Sequence, residues 1–182
     1  MTGRIRLFAI LLVPSLVLIS CSIAPYKCTD PLGCLEIPAG SPVRIGAILA
    51  TDGPMHQVGT ACMDGIVYVI KNKKTVLGHV IELEQYSTDG TPESAVTSAT
   101  EMATDPTLLA VIGPSLNGEE LVTSPILSEA GIVSLSPVPD PLTAINMTNQ
   151  IIAAIVQVSI IRPDNTLIVP RQALWTALIP SR

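Results

Sequence analysis

From Val43 onward the chain repeats one pattern: a short apolar run, a turn, then apolar residues at helical spacing. "VRIGAIL", residues 43–49, predicts a strand. In "GTACMDGIVYVIKN" the positions Cys62, Ile66, Val69 and Ile70 share one face, which predicts a helix over 59–72. "HVIELEQ" sets Val80 and Glu82 against Ile81 and Leu83, the alternation of a strand. Thr91-Pro92 then offers an N-cap and a proline at the first helical position. Ala95, Val96, Ala99, Met102 and Ala103 follow as the expected inner stripe. "LLAVIG" predicts a short, wholly apolar strand. Asn117 and Glu120 resemble a capping box at the next helix start. Leu121, Val122, Ile126 and Ala130 are that helix's expected inner face, with a kink at Pro125. "GIVSLS" predicts a fourth strand.

The order is βαβαβαβ with short connections, so the fold class is α/β, with a parallel sheet covered on both faces. Right-handed crossovers make a doubly wound, Rossmann-like sheet the expected topology. In such sheets ligands bind outside the carboxyl ends of the strands. Here those ends carry Thr51-Asp52-Gly53-Pro54, Ser87-Thr88-Asp89-Gly90, Gly113-Pro114-Ser115-Leu116-Asn117-Gly118 and Ser136-Pro137-Val138-Pro139. No G-x-G-x-x-G or Walker-type loop follows any strand, so no nucleotide cofactor is expected. The loops supply hydroxyls and glycines but no nucleophile–base pair. His56 reads as a surface residue near a turn and His79 as a structural one at a strand start. The chain is not expected to be an enzyme.

The amino-terminal pattern differs. A basic opening, Met1 to Arg6, leads into an uncharged run from Leu7 to Ser20, the layout of an export signal. A membrane span needs about 20 apolar residues, and Pro14 interrupts this run. Leu18-Ile19-Ser20-Cys21 resembles a bacterial lipobox, which makes Cys21 the expected site of lipidation. Acyl chains would then hold the protein to a membrane surface, each buried CH₂ adding about 0.8 kcal/mol. The localisation expected is extracytoplasmic and lipid-anchored. In that oxidising setting Cys28 and Cys34, separated by Thr-Asp-Pro-Leu-Gly, are expected to form a local disulfide. A metal site there lacks ligands, because both histidines lie far along the chain and Cys62 stands alone.

Composition narrows the partners. The formal net charge is −5 and no basic run follows the opening segment. Nucleic acid is therefore not expected as a partner. Aromatic residues make up 3% of the chain, too few to line a sugar site.

The stretch from "VRIGAILATDGPMHQVGTACMDGIVYVIKN" through "ILSEAGIVSLSP" resembles the first lobe of type I periplasmic binding proteins, above all those serving branched-chain amino acid ABC importers. The resemblance runs from about Val43 to Thr143 and rests on Gly53-Pro54, Gly59 with Gly65, Asn72 and Gly78 in order. It implies a small solute, an amino acid or amide, and an importer permease as partners. In that family the ligand carboxylate meets the amino terminus of the third helix and the loop after the fourth strand. By position these are Asn117 and Gly118, then Ser136 and Pro137, the expected ligand-binding residues. Three positions depart from the pattern: the second loop is shortened to Val138-Pro139-Asp140, Ser87-Thr88 replaces an acidic pair, and Val58 stands where an aromatic wall occurs. Glu119 and Glu120 would compete with an anionic ligand for the helix field.

The expected organisation is a signal over 1–20, a lipid-anchored and disulfide-clasped linker over 21–42, a ligand-binding lobe over 43–143 and a tail over 144–182. The tail, "AINMTNQIIAAIVQVSIIRPDNTLIVPRQALWTAL", is similar to a late region of the same family, as though the second lobe had been excised near Thr143-Ala144. An unrelated tail from a shifted reading frame is the other reading. Ala144 to Ile161 is uncharged, but Asn146, Asn149, Gln150 and Gln157 favour a buried amphipathic helix over a membrane span. Two functions follow: a solute-binding component related to branched-chain amino acid transport, or a folded remnant or interaction module with no ligand of its own.

Overall fold

The computed structural model describes residues 26–137 and 140–178. The segment expected as a signal, the expected lipidation position Cys21 and the loop residues Val138 and Pro139 lie outside the described residues. Eight strands and five helices follow in order among those described: β1 Cys34–Ile37, β2 Val43–Leu49, α1 His56–Lys73, β3 Thr75–Val76, β4 His79–Ser87, α2 Pro92–Ala103, β5 Leu108–Ile112, α3 Asn117–Glu129, β6 Val133–Leu135, α4 Pro141–Val158, β7 Ile160–Ile161, β8 Leu167–Pro170 and α5 Arg171–Leu178.

The main sheet has the order β3-β4-β2-β5-β6. β4, β2, β5 and β6 run parallel, and β3 pairs antiparallel with β4 as a short hairpin. This is the expected α/β fold: a mostly parallel five-stranded sheet flanked by helices, with an antiparallel edge added. The chain leaves β2 towards β4, then crosses back over β2 to β5, so the strand order reverses between β2 and β5. That reversal opens a crevice at the carboxyl ends.

The alternation of β2 sends its side chains into two cores. Val43, Ile45, Ala47 and Leu49 meet Cys62, Ile66 and Val69 of α1 and Ile151 and Ile155 of α4. Ile48 faces the other way, with Ala99 and Met102 of α2, Leu108 and Val111 of β5, and Leu127 of α3. Gly46 lies on that second face, where a Cβ would stand 2.4 Å from the terminal methyl of Met102. α1 packs on α4, and α2 on α3. At the first crossing Gly65 lets the backbones approach, since a Cβ there would sit 2.8 Å from the carbonyl oxygen of Pro141.

Thr91 caps α2 as expected: its side chain accepts from the Ser94 N–H. Two inner faces differ from the expected stripes. In α2, Ser98 is buried and Val96 is 38% exposed. In α3 the buried set is Glu119, Thr123 and Leu127, spaced by four, while Leu121 is 81% exposed. Leu116, not Asn117, is the N-cap, with extended backbone and no side-chain cap, so the capping box does not form. Asn117 becomes the first helical residue, and Glu119 lies on the buried face with Thr123 and Leu127.

The tail forms a second sheet, β1-β8-β7, antiparallel throughout. Its strand β1 lies in the segment expected as a linker, and α4 runs through the expected boundary at Thr143. Leu167, Val169 and Leu174 join the same core as β2 and α4. Cys28 and Cys34 are joined by a disulfide, and Cys62 is free and buried. Within that clasp, Asp30 accepts from the N–H groups of Gln172 and Ala173, capping α5. Among the described residues no helix is long and apolar enough to cross a membrane.

Candidate functional site

The loops after β2, β4 and β5 meet at the carboxyl edge of the sheet. Asp52 N–H donates to the carbonyl of Thr88 at 3.0 Å, and Thr88 N–H donates to the carbonyl of Leu49 at 2.9 Å. Thr51 and Ser87 share a hydroxyl–hydroxyl bond. Ala50 N–H donates to Ser115 Oγ at 3.0 Å, joining the first loop to the third. Gly113 has φ +126°, and a Cβ there would stand 2.0 Å from the Ile48 carbonyl oxygen, so only glycine lets β5 turn out here. The loop after β6 is tied in by Ser136 Oγ, which donates to the Pro114 carbonyl at 2.7 Å.

The four residues expected to bind ligand therefore lie on two joined loops. Asn117 and Gly118 are exposed at the start of α3, where backbone N–H groups have no intrahelical partner. Ser136 is half-buried and Pro137 buried. Ser136 has one hydroxyl proton and gives it to Pro114, so it faces a ligand as an acceptor.

Sequence reasoning noted Glu119 only as a competitor for the helix field; the structure makes it the centre of the edge. It is fully buried, accepts from Thr88 Oγ1 through Oε1, and its Oε2 has no hydrogen-bond partner. Burial raises its pKa, the Thr88 and Leu116 donors oppose the rise, and nearby Asp89 adds to it. Asp89 behaves oppositely. Ser94 Oγ and the Thr91 hydroxyl and N–H all donate to its Oδ1 and bring its pKa down to about 2. The signal for Glu119 was present in the sequence as Glu119-Thr123-Leu127 at helical spacing, a stripe hidden by its polar members.

His56 opens α1 and is exposed, with Nδ1 3.0 Å from the Gly53 carbonyl. His79 is buried, its Nδ1 2.8 Å from the Ser41 carbonyl, a structural placement. Burial pushes the Cys62 thiol up, which leaves it unreactive. Among the described residues no cluster of three His, Cys, Asp or Glu could hold a metal ion. A groove of about 350 Å³ opens at the far, amino end of β2, bordered by Leu35, Ile37, Pro38 and Arg44. The Arg44 guanidinium there is taken up by Asp105, Thr107 and Glu84.

Solved structures share this fold. A branched-chain amino acid transporter substrate binding protein from Streptococcus pneumoniae, in complex with isoleucine, matches with TM-score 0.51 and 22% identity over 53% of this chain and 28% of its own. An ABC transporter substrate-binding protein from Sphaerobacter thermophilus matches with TM-score 0.50 and 24% identity, over 53% of this chain and 26% of its own. The chain thus spans less than a third of the length of these relatives, and what they share with it is the architecture of one lobe. Among curated proteins nothing matches. The family model described as periplasmic binding protein matches residues 42–152, from the start of β2 into α4, and the chain belongs to that family.

Proposed function

We propose that this protein is an extracytoplasmic solute-binding lobe of the kind used in ABC import, held to a membrane through a lipid on Cys21. The observation that supports it is the convergence of the loops after β2, β4, β5 and β6 on one open edge, within a family whose members bind solutes. The segments are assigned as signal over 1–20, anchor and clasp over 21–42, lobe over 43–143 and tail over 144–182. Asn117, Gly118, Ser136 and Pro137 form the floor of the site, and an importer permease is the partner on the membrane. The solute is small and held by backbone N–H groups and hydroxyls, with no catalytic step.

Isothermal titration of the purified protein against a panel of small solutes tests binding. A saturable heat with at least one of them is expected, and none with any would leave the interaction-module reading. Fractionation of a bacterial host expressing Cys21→Ala tests the anchor. Release of the variant into the soluble extracytoplasmic fraction is expected, and an unchanged membrane fraction would overturn it.

A further inference from the structure

We propose that Asn117-Gly118 is a site of spontaneous covalent modification, at which the Asn117 side-chain amide becomes a carboxylate through a cyclic imide formed with the Gly118 nitrogen. The modification goes beyond the solute-binding reading and holds whether or not a solute occupies the edge.

Of the chain's asparagines, Asn117 alone is followed by glycine. The imide closes when the following backbone nitrogen reaches the side-chain carbonyl carbon, and a side chain on that following residue obstructs the approach. Gly118 has none, and a Cβ built there would meet nothing within 4 Å, so the neighbourhood is open as well. Both residues are exposed.

The start of α3 supplies the nucleophile. The first N–H groups of a helix have no intrahelical acceptor. Here the Glu119 and Glu120 N–H groups both go to the Leu116 carbonyl, at 3.1 and 3.2 Å, whereas the Gly118 N–H has no backbone acceptor among the described residues. It is open to solvent base. Ring closure also requires Asn117 to leave its helical backbone angle. Leu116 is already extended and the turn has no side-chain cap, so the opening breaks only the two bonds to the Leu116 carbonyl. Neither exposed side chain gives up packing in the process.

The other asparagines each lack one of these conditions. Asn72 and Asn149 donate their amides to the Tyr68 and Ile145 carbonyls at 2.8 and 3.0 Å. Asn72 lies inside α1, and Asn146 and Asn149 inside α4, where the helix takes up the following N–H. Asn165 precedes the β-branched Thr166, whose N–H goes to Asp164 Oδ1 at 3.0 Å.

The step balances without an oxidant or reductant. The Gly118 nitrogen attacks Asn117 Cγ, the new N–Cγ bond forms, and the Cγ–Nδ2 bond breaks. Ammonia leaves with the two amide hydrogens and the proton from the Gly118 nitrogen. Water then adds to one of the two imide carbonyls and breaks its bond to that nitrogen, which regains a proton. Opening at Cγ gives aspartate; opening at the backbone carbonyl gives isoaspartate, with a methylene added to the main chain. Either product places a carboxylate on the first helical residue of α3, where the helix field favours negative charge. The chain, of formal net charge −5, becomes more acidic at a residue assigned to the floor of the site.

The test is peptide mapping by mass spectrometry of the full protein, folded and held in mildly alkaline buffer over a time series. Isoaspartate and aspartate are expected at position 117 before any change at Asn72, Asn146, Asn149 or Asn165, with an acidic band growing in isoelectric focusing. Gly118→Ala, which the open space accommodates, should lose most of the modified peptide over the same interval. Asn117→Gln should lose the acidic band, because its longer side chain does not form this ring. Modification of another asparagine first would overturn the proposal. So would equal modification in Gly118→Ala, or a product that forms in urea but not in the folded protein.

Discussion

The hydroxyl of Thr88 donates to the carboxylate of Glu119, and the two are buried together where β4 ends and α3 begins. A neutral carboxylic acid suits that site better than a carboxylate, since burial penalises charge. The folded-state pKa of Glu119 is therefore raised above the ordinary value of 4.5. The stabilisation it gives is complete below that value and is lost as pH rises through the folded-state pKa. Urea denaturation across a pH series should show the wild type losing stability relative to Glu119→Gln as pH rises from 4.5. A pH-independent difference would refute the assignment. Thr88→Val, which removes the donor, should cost about 1–3 kcal/mol.

The crossing of α1 and α4 depends on Gly65. Placing a valine there drives a Cβ to 2.8 Å from the Pro141 carbonyl oxygen, a backbone atom that cannot swing aside. Overpacking of this kind costs about 1–3 kcal/mol. The expected result is a lower denaturation midpoint with an unchanged slope. Full stability in Gly65→Val would mean that the helices separate freely.

The short helix α5 is held at its start by a residue far away in sequence. Asp30 accepts from Gln172 N–H at 3.1 and 3.0 Å and from Ala173 N–H at 3.2 Å. Loss of such a cap costs about 0.5–2 kcal/mol. Asp30→Ala should speed hydrogen exchange at the Gln172 and Ala173 amides while leaving those of β2 and β5 unchanged. Equal protection in both proteins would show that the cap is idle.

The clasp between Cys28 and Cys34 closes a loop with a sequence separation of 6. Loop-closure entropy for so short a ring gives about 2 kcal/mol. Cys28→Ser should lose that amount, and the loss should equal that of Cys34→Ser. Mass spectrometry of non-reduced peptides should find the Cys28–Cys34 link and leave Cys62 alkylated only after denaturation. A link to Cys62 would contradict the buried thiol.

The parts legible in the sequence were those fixed by apolar periodicity. β2 reads correctly because Val43, Ile45, Ala47 and Leu49 alternate with residues of the opposite face, and α1 because Cys62, Ile66 and Val69 recur at helical spacing. The inner face of α3 did not read, because Glu119 and Thr123 are polar and Leu121 is the apolar residue that points outward. The inward face of that helix is decided by its packing on α2 and β6, which apolar periodicity does not reveal here. The candidate site was legible as a set of loops, since carboxyl ends follow from strand order. Its buried acid was not, because the burial of Glu119 depends on how α3 and the loop after β4 meet in space. The pairing of β1 with β8 was equally hidden: "CLEI" is too short and too plain to announce a partner more than a hundred residues away.

That pairing also sets the order in which the molecule can be completed. The Asp30 cap and the Gln172 amide it serves are 142 residues apart, so the second sheet is among the least local parts of the structure. Contacts of such long range are slow to form, because the entropy of closing the loop is lost before any of them is gained. The β2–β4–β5 region can assemble as soon as its own crossovers exist. The apolar side of α4 beneath β8 stays uncovered until residues past 170 have been delivered. During synthesis the chain therefore carries a nearly formed lobe with an open seam. Until it is covered, that seam is apolar surface open to aggregation.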